Sequence, residues 1–368
     1  MSVNINRRDL VRGMIGGAVS LALAPSAIAQ VAPPPGIISL SANENPYGPS
    51  PKALKEAAKA LHKGAYYPRA IGGKLQDAIA AKNDLERDHL LISSGSNEGL
   101  QAAMVAFGKR GKVVLPGLTY SDHLGYSKRM GVELVRVPLN KDMSIDLDGL
   151  AAAVDDSVSL VYVCNPNNPT GMTIDGDTLR DFCRSVSKKA TVLVDEAYNE
   201  LTDKPEYTSM VDLVREGENV LVMRTFSKIF GMAGLRVGYG MGHPDIAKEV
   251  GGHVMAWPNG VGMTAAYHSY LDDDFIAFSR DRIHEGRRMV NETFRKNGIE
   301  PLPSQTNFVF ANIGRNGSEF QRRMAERKIL IRGRWQSYPN YIRVSMGRIE
   351  DVETFQTVFT DVFRGKPG

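Results

Sequence analysis

Short apolar runs alternate with helical stretches along the chain, and each run stops at a proline or a cluster of polar residues. The stretches 89–93, 112–115, 132–137, 160–164, 191–194, 220–224 and 235–240 read as strands. Between them 52–62, 73–83, 97–107 and 178–187 read as helices. That order predicts an α/β fold with a mostly parallel seven-stranded sheet covered by helices. A long amphipathic helix over 276–297 follows, then strands at 306–311 and 341–344 around a helix at 318–326. These predict a smaller α/β C-terminal domain. The expected division is 30–63 as linker and N-terminal segment joining the small domain, 64–256 as the large domain and 257–368 as the small one.

The bulk numbers permit this. The chain has 368 residues, 42% hydrophobic and 23% charged, enough to fill sizeable cores and outside the disordered range. The net charge of +4 is spread without a basic block, which argues against nucleic acid as a partner. Cys164 and Cys183 stand in neither a CxxC nor a histidine-rich context. They read as two unpaired packed thiols, and no metal is expected.

The first residues have a different character. Arg7-Arg8 precede a small, apolar run over 14–23, and Ala27-Ile28-Ala29 forms a cleavage signal. Residues 1–29 therefore read as a signal peptide of the twin-arginine (Tat) type, with export to the periplasm as the expectation. The apolar run is too short for a stable membrane anchor. Residues 31–36 read as a linker.

In a parallel sheet, ligands sit beyond the carboxyl ends of the strands. The polar residues that follow the strands here are Gly95-Ser96-Asn97-Glu98, Tyr120, 165–170, Asp195-Glu196-Ala197-Tyr198 and Thr225-Phe226-Ser227-Lys228. Residues 93–98 read either as a plain capped turn or as an anion cradle at a helix N-terminus. The prolines and glycine of 165–171 fix a stiff turn that would hold Asn168. Asp195 ends an apolar strand, either as a helix cap or facing a cationic ligand group. Lys228 lies among small residues with little charge, and a lysine in such a place can attack carbonyls. A carbonyl-seeking lysine, a phosphate cradle, a carboxylate for a ring nitrogen and a tyrosine for a ring hydroxyl together match pyridoxal 5'-phosphate.

On these residues the chain resembles the fold-type I pyridoxal-phosphate aminotransferases of class I and II, and within them the histidinol-phosphate aminotransferase branch. Residues 42–46, 95–98, 165–171, 195–198, 224–240 and 341–345 carry the resemblance in the family's order. It implies an aspartate aminotransferase-like fold. It implies that Lys228 forms the Schiff base with the cofactor and then shuttles a proton. Asp195 would face the ring nitrogen, Asn168 and Tyr198 the ring hydroxyl, and Tyr120 the ring face. Ser96, Asn97, Glu98, Thr225, Ser227 and Arg236 would bind the cofactor around its phosphate, and Tyr67 would reach that phosphate from a second copy in a homodimer with shared sites. Arg343 would clamp the substrate carboxylate, with Arg332, Asn43, Tyr47 and Trp257 as further substrate contacts. The implied partners are small amino acids and keto acids. A decarboxylase of a phosphorylated amino acid such as threonine phosphate, or a lyase, is the alternative on the same scaffold. Arg334-Trp335 and 255–259 depart from the histidinol-phosphate branch, as does export.

Overall fold

The computed structural model describes residues 36–335 and 337–365. The signal-like stretch 1–29 and the linker up to residue 35 lie outside the described residues. The strands are β1 (Ile38–Ser39), β2 (Leu90–Ser93), β3 (Lys112–Pro116), β4 (Leu134–Val137), β5 (Val158–Cys164), β6 (Thr191–Asp195), β7 (Val220–Thr225), β8 (Gly238–Gly242), β9 (Phe308–Asn312), β10 (Ile329–Leu330) and β11 (Tyr341–Ser345). Seven of them form one sheet in the order β2-β8-β7-β6-β5-β3-β4.

The central strands are apolar at nearly every position because both faces are covered. Val161, Val163, Val192, Val194 and Val222 pack into one core, and Leu160, Tyr162, Leu193, Leu221 and Met223 into another. The period of two along each strand assigns these sets to opposite faces. The helix Ser96–Gly108 covers the second face with Leu100, Ala103, Met104 and Phe107.

β8 departs from the expected strand at 235–240. Ala233–Leu235 is a 3-10 turn, Arg236 takes a left-handed conformation at φ 53°, and the strand begins only at Gly238. β8 runs antiparallel to both neighbours, β7 and β2. The connection from β7 holds only that 3-10 turn and no α-helix, and the chain doubles back. The long amphipathic helix expected over 276–297 is Asp273–Lys296, capped by Asp272, and a separate helix, Gly260–Tyr270, precedes it. The helix Ile349–Phe363 was not anticipated. Its Val352, Phe355, Phe359 and Val362 are buried at helical spacing, so the signal was in the sequence.

Two small sheets carry the rest. β1 pairs in parallel with β10, which ties the N-terminal segment to the C-terminal part. β11 pairs antiparallel with β9, with Arg343 opposite Phe310. A further bridge joins Arg332 and Arg343 through backbone hydrogen bonds of 3.0 and 2.6 Å. Cys164 and Cys183 are separate buried thiols. Among the described residues, no helix is long and apolar enough to cross a membrane.

Candidate active site

The carboxyl ends of β5, β6 and β7 and the start of the helix Ser96–Gly108 open onto one pocket. Thirteen expected site residues line it: Asn43, Ser96, Asn97, Tyr120, Asn168, Asp195, Tyr198, Thr225, Ser227, Lys228, Arg236, Arg332 and Arg343.

One end is built for an anion. The N-terminus of the helix Ser96–Gly108 has Gly95 at its cap and no side-chain acceptor for its N–H groups. Gly95 has φ +78°, and a Cβ on it would collide with the Arg236 guanidinium. A Cβ on Gly238 would collide with the Ser96 nitrogen. These two glycines let β8 and Arg236 close on the helix end. Arg236 donates to the Ala233 carbonyl at 2.9 Å and to Ser227 Oγ at 3.5 Å, and Thr225 Oγ1 donates to Ser227 Oγ at 2.9 Å. Backbone N–H groups, two hydroxyls and a guanidinium thus converge on one end of the pocket. That donor set fits a phosphate.

Across the pocket, Asp195 is almost fully buried at the end of β6. Burial raises its carboxyl to about 6, against hydrogen bonds from Tyr162 (3.1 Å) and the Ala197 N–H (3.2 Å) that favour the charged form. A buried carboxylate facing the pocket with no cation bonded to it fits a protonated ring nitrogen. Tyr198 Oη accepts from Asn43 Nδ2 at 3.0 Å and Asn168 Nδ2 at 3.3 Å. Asn168 is held by its turn. Asn167 donates to the Leu118 carbonyl at 3.1 Å, and the Ile174 N–H donates to Asn165 Oδ1 at 2.8 Å. Tyr120 donates to Asn97 Oδ1 at 3.2 Å.

Lys228 lies between these ends, its Nζ donating to the Asn43 carbonyl at 3.2 Å. Its pKa falls to about 8, chiefly through burial, with the Arg343 charge adding to the effect and Glu44 and Asp195 opposing it. A lysine in that range is partly neutral near physiological pH and can act as nucleophile or base. Arg343 is buried too. Its Nη1 donates to Asn168 Oδ1 at 2.7 Å and its Nη2 to the Ser41 carbonyl at 2.8 Å, while Nε has no partner.

Three expected contacts, Glu98, Tyr47 and Trp257, lie elsewhere, and Tyr67, expected to serve a second copy, lies outside this chain's own pocket. Glu98 accepts from the Ser94 N–H at 2.6 Å and the Met255 N–H at 3.2 Å, so it ties two loops and does not face the pocket. An anion there would repel it. The Tyr47 hydroxyl accepts from the Ile349 N–H at 3.0 Å, and its ring meets Phe278 edge-on. Trp257 is 56% exposed in a separate groove, beside Tyr67 at 6.0 Å and under Arg69. Tyr67 is 84% exposed. Sequence reasoning missed Thr119, Ser121, Asp122 and Trp335 in the lining, and Tyr162 and Cys164 behind Asp195. Trp335 was visible only as a departure from the family pattern.

Residues 35–358 match the family of class I and II aminotransferases. A histidinol-phosphate aminotransferase of Halalkalibacterium halodurans is 32% identical, over 89% of this chain and 89% of its own length. One from Akkermansia muciniphila is 35% identical over 85% of this chain and 86% of its own. The solved structure of histidinol-phosphate aminotransferase from Sinorhizobium meliloti in complex with pyridoxal-5'-phosphate superposes with a TM-score of 0.80 at 27% identity, covering 89% of this chain and 91% of that one. The pocket and these matches agree, and the chain belongs to the class I and II aminotransferases, with fold type I and pyridoxal 5'-phosphate as its cofactor.

Proposed function

We propose that this aminotransferase passes an amino group from an α-amino acid to a carbonyl acceptor, and that its substrates carry a planar ring side chain. That class includes histidinol phosphate, on which the named relatives act, and the aromatic amino acids. Arg343 carries the first part. Two of its nitrogens are fixed by Asn168 and Ser41, and the unpartnered Nε leaves a rigid edge for a carboxylate. Trp335 supports the second. It lines the pocket with the Arg332 guanidinium 5.3 Å over its ring.

When bound, the cofactor supplies a protonated ring that accepts the electrons of a bond broken at the substrate α-carbon. Ser96, Asn97, Ser227, Thr225 and Arg236 would hold its phosphate, Asp195 its ring nitrogen, Asn168 and Tyr198 its ring hydroxyl and Tyr120 its face. Lys228 Nζ would take the α-proton and return it. Arg343 would set the angle at which the α-carbon is presented, which decides the bond that breaks. Coupled assays with glutamate, histidinol phosphate, phenylalanine, tyrosine and alanine test the reading. Turnover of ring-bearing substrates above alanine is expected. Equal rates for all would overturn the ring preference, and release of carbon dioxide without amino transfer would overturn the reaction in favour of decarboxylation.

Two further readings belong to the whole protein. A homodimer is supported by the cluster of exposed apolar residues Leu61, Tyr66, Tyr67, Met255 and Trp257, an unusual load for a free surface. Tyr67 would then serve a second copy's site. Export through the Tat route is supported by Arg7-Arg8, the apolar run and Ala27-Ile28-Ala29. A reporter fused to residues 1–35 should leave the cytoplasm, and should stay when Arg7 and Arg8 are replaced by lysine. Export of the lysine form would exclude that route.

A further inference from the structure

Asp195 does not stand alone beneath the pocket. Cys164 on β5 is its register partner on β6, so the two side chains share a face of the sheet. Two residues back along a strand returns to the same face about 6.6 Å away. That position is Tyr162, whose phenol is long enough to cover the distance. Its Oη lies 3.1 Å from Asp195 Oδ2.

The donor is committed to this one acceptor. Tyr162 is fully buried, and its hydroxyl, which also lies beside the Cys164 thiol, donates its single hydrogen to Asp195. His123 meets its ring edge-on at 5.0 Å without bonding to it. Burial holds the imidazole neutral, down to about 3, and both its nitrogens are unpartnered. The Cys164 thiol is 3.8 Å from the same oxygen but 3.4 Å from the Pro166 carbonyl, and its single hydrogen cannot serve both. The Ala197 N–H holds the other oxygen, Oδ1, at 3.2 Å. Each carboxylate oxygen is therefore held by a donor nearer than the thiol, Oδ1 from the backbone and Oδ2 from Tyr162 in the core beneath the sheet.

The geometry assigns Tyr162 as a positioning residue that orients Asp195 toward the cofactor ring nitrogen and keeps it ionised there. This rests on the cofactor lying in the pocket with its ring nitrogen at Asp195. Burial alone works against the charge, and the Tyr162 hydrogen bond is the largest force restoring it. Tyr162→Phe removes one oxygen and leaves the ring packing in place, so the fold should persist.

The test is binding by cofactor-free protein of pyridoxal 5'-phosphate and of an analogue with CH in place of the ring nitrogen, for wild type, Tyr162→Phe and Asp195→Asn. Loss of a hydrogen bond to a charged group predicts about tenfold weaker binding of the natural cofactor by Tyr162→Phe. The analogue should bind wild type and Tyr162→Phe within about twofold, since no ring nitrogen is present to report on Asp195. Equal loss for both compounds would make Tyr162 merely structural, and no loss for either would remove it from the site. Asp195→Asn separates the premises. If it also treats both compounds alike, the ring nitrogen is not at Asp195 and the site reading fails. If it discriminates and Tyr162→Phe does not, only the role of Tyr162 fails.

Discussion

Lys228 and Asp195 are charged side chains forced into a poorly solvated space, and pH exposes the cost. Asp195 titrates near 6 in the fold against 3.8 for the ordinary group. Between those values the unfolded chain has lost the proton and the folded one keeps it, so stability falls as pH rises through this window. Above pH 6 the full penalty stands, about 3 kcal/mol for a shift of that size. Cofactor-free Asp195→Asn should therefore be more stable than wild type at pH 7 to 8, with the difference gone near pH 4, in urea unfolding at several pH values. Lys228 has the opposite charge and a lowered pKa of about 8. Its amine must be neutral to attack the cofactor aldehyde. The rate at which cofactor-free protein regains its visible band should rise with pH toward about 8 and flatten above it. A rate independent of pH would contradict the burial of Lys228. Arg343→Lys keeps the charge but loses the planar edge. It should raise KM for a carboxylate-bearing donor by about tenfold or more, measured against a substrate lacking the carboxylate.

At the scale of elements, β6 and β7 are held together just below the site. Glu196 is fully buried and accepts from Arg224 at 2.8 and 3.0 Å, from Ser209 Oγ at 3.0 Å and from the Met210 N–H at 2.7 Å. Glu196→Ala would strand the guanidinium and should cost about 3–5 kcal/mol in denaturant unfolding. Gly238→Ala would push β8 off the Ser96 end of its helix and should weaken cofactor binding more than it lowers stability. The strands were legible because strands buried on both faces are apolar at every position, and 160–164, 191–194 and 220–224 needed at most a few residues added. The direction of β8 was not legible. It depends on the left-handed turn at Arg236, and a strand pattern carries no arrow. The helix Ile349–Phe363 was legible too, in the helical spacing of Val352, Phe355, Phe359 and Val362.

At the scale of the molecule, the pocket gathers residues from 42 to 343 along the chain. Lys228, Asp195 and Asn168 could be named from sequence because strand ends converge on one rim and each residue type has few roles there, whereas Arg343, inside β11 of another sheet, was named only through the family resemblance. Glu98, Tyr47 and Trp257 could not be placed, because adjacency to a motif does not tell which way a side chain points. Tyr162 was hidden because its hydroxyl looks like core until β5 is laid beside β6. Trp257→Ala and Tyr67→Ala, at the exposed apolar cluster, should shift the protein toward monomer in sedimentation. Tyr67→Ala should also weaken cofactor binding, which a surface residue of a monomer would not do.

The central claim is that Lys228 holds pyridoxal 5'-phosphate in this pocket for amino transfer. The visible absorption spectrum of purified protein, before and after a panel of amino acids, tests it most directly, with Lys228→Ala beside it. The wild type should be yellow and bleach with at least one amino acid, and Lys228→Ala should show neither the same band nor turnover. A yellow, active Lys228→Ala protein would contradict the account, and a wild type that no amino acid bleaches would contradict amino transfer.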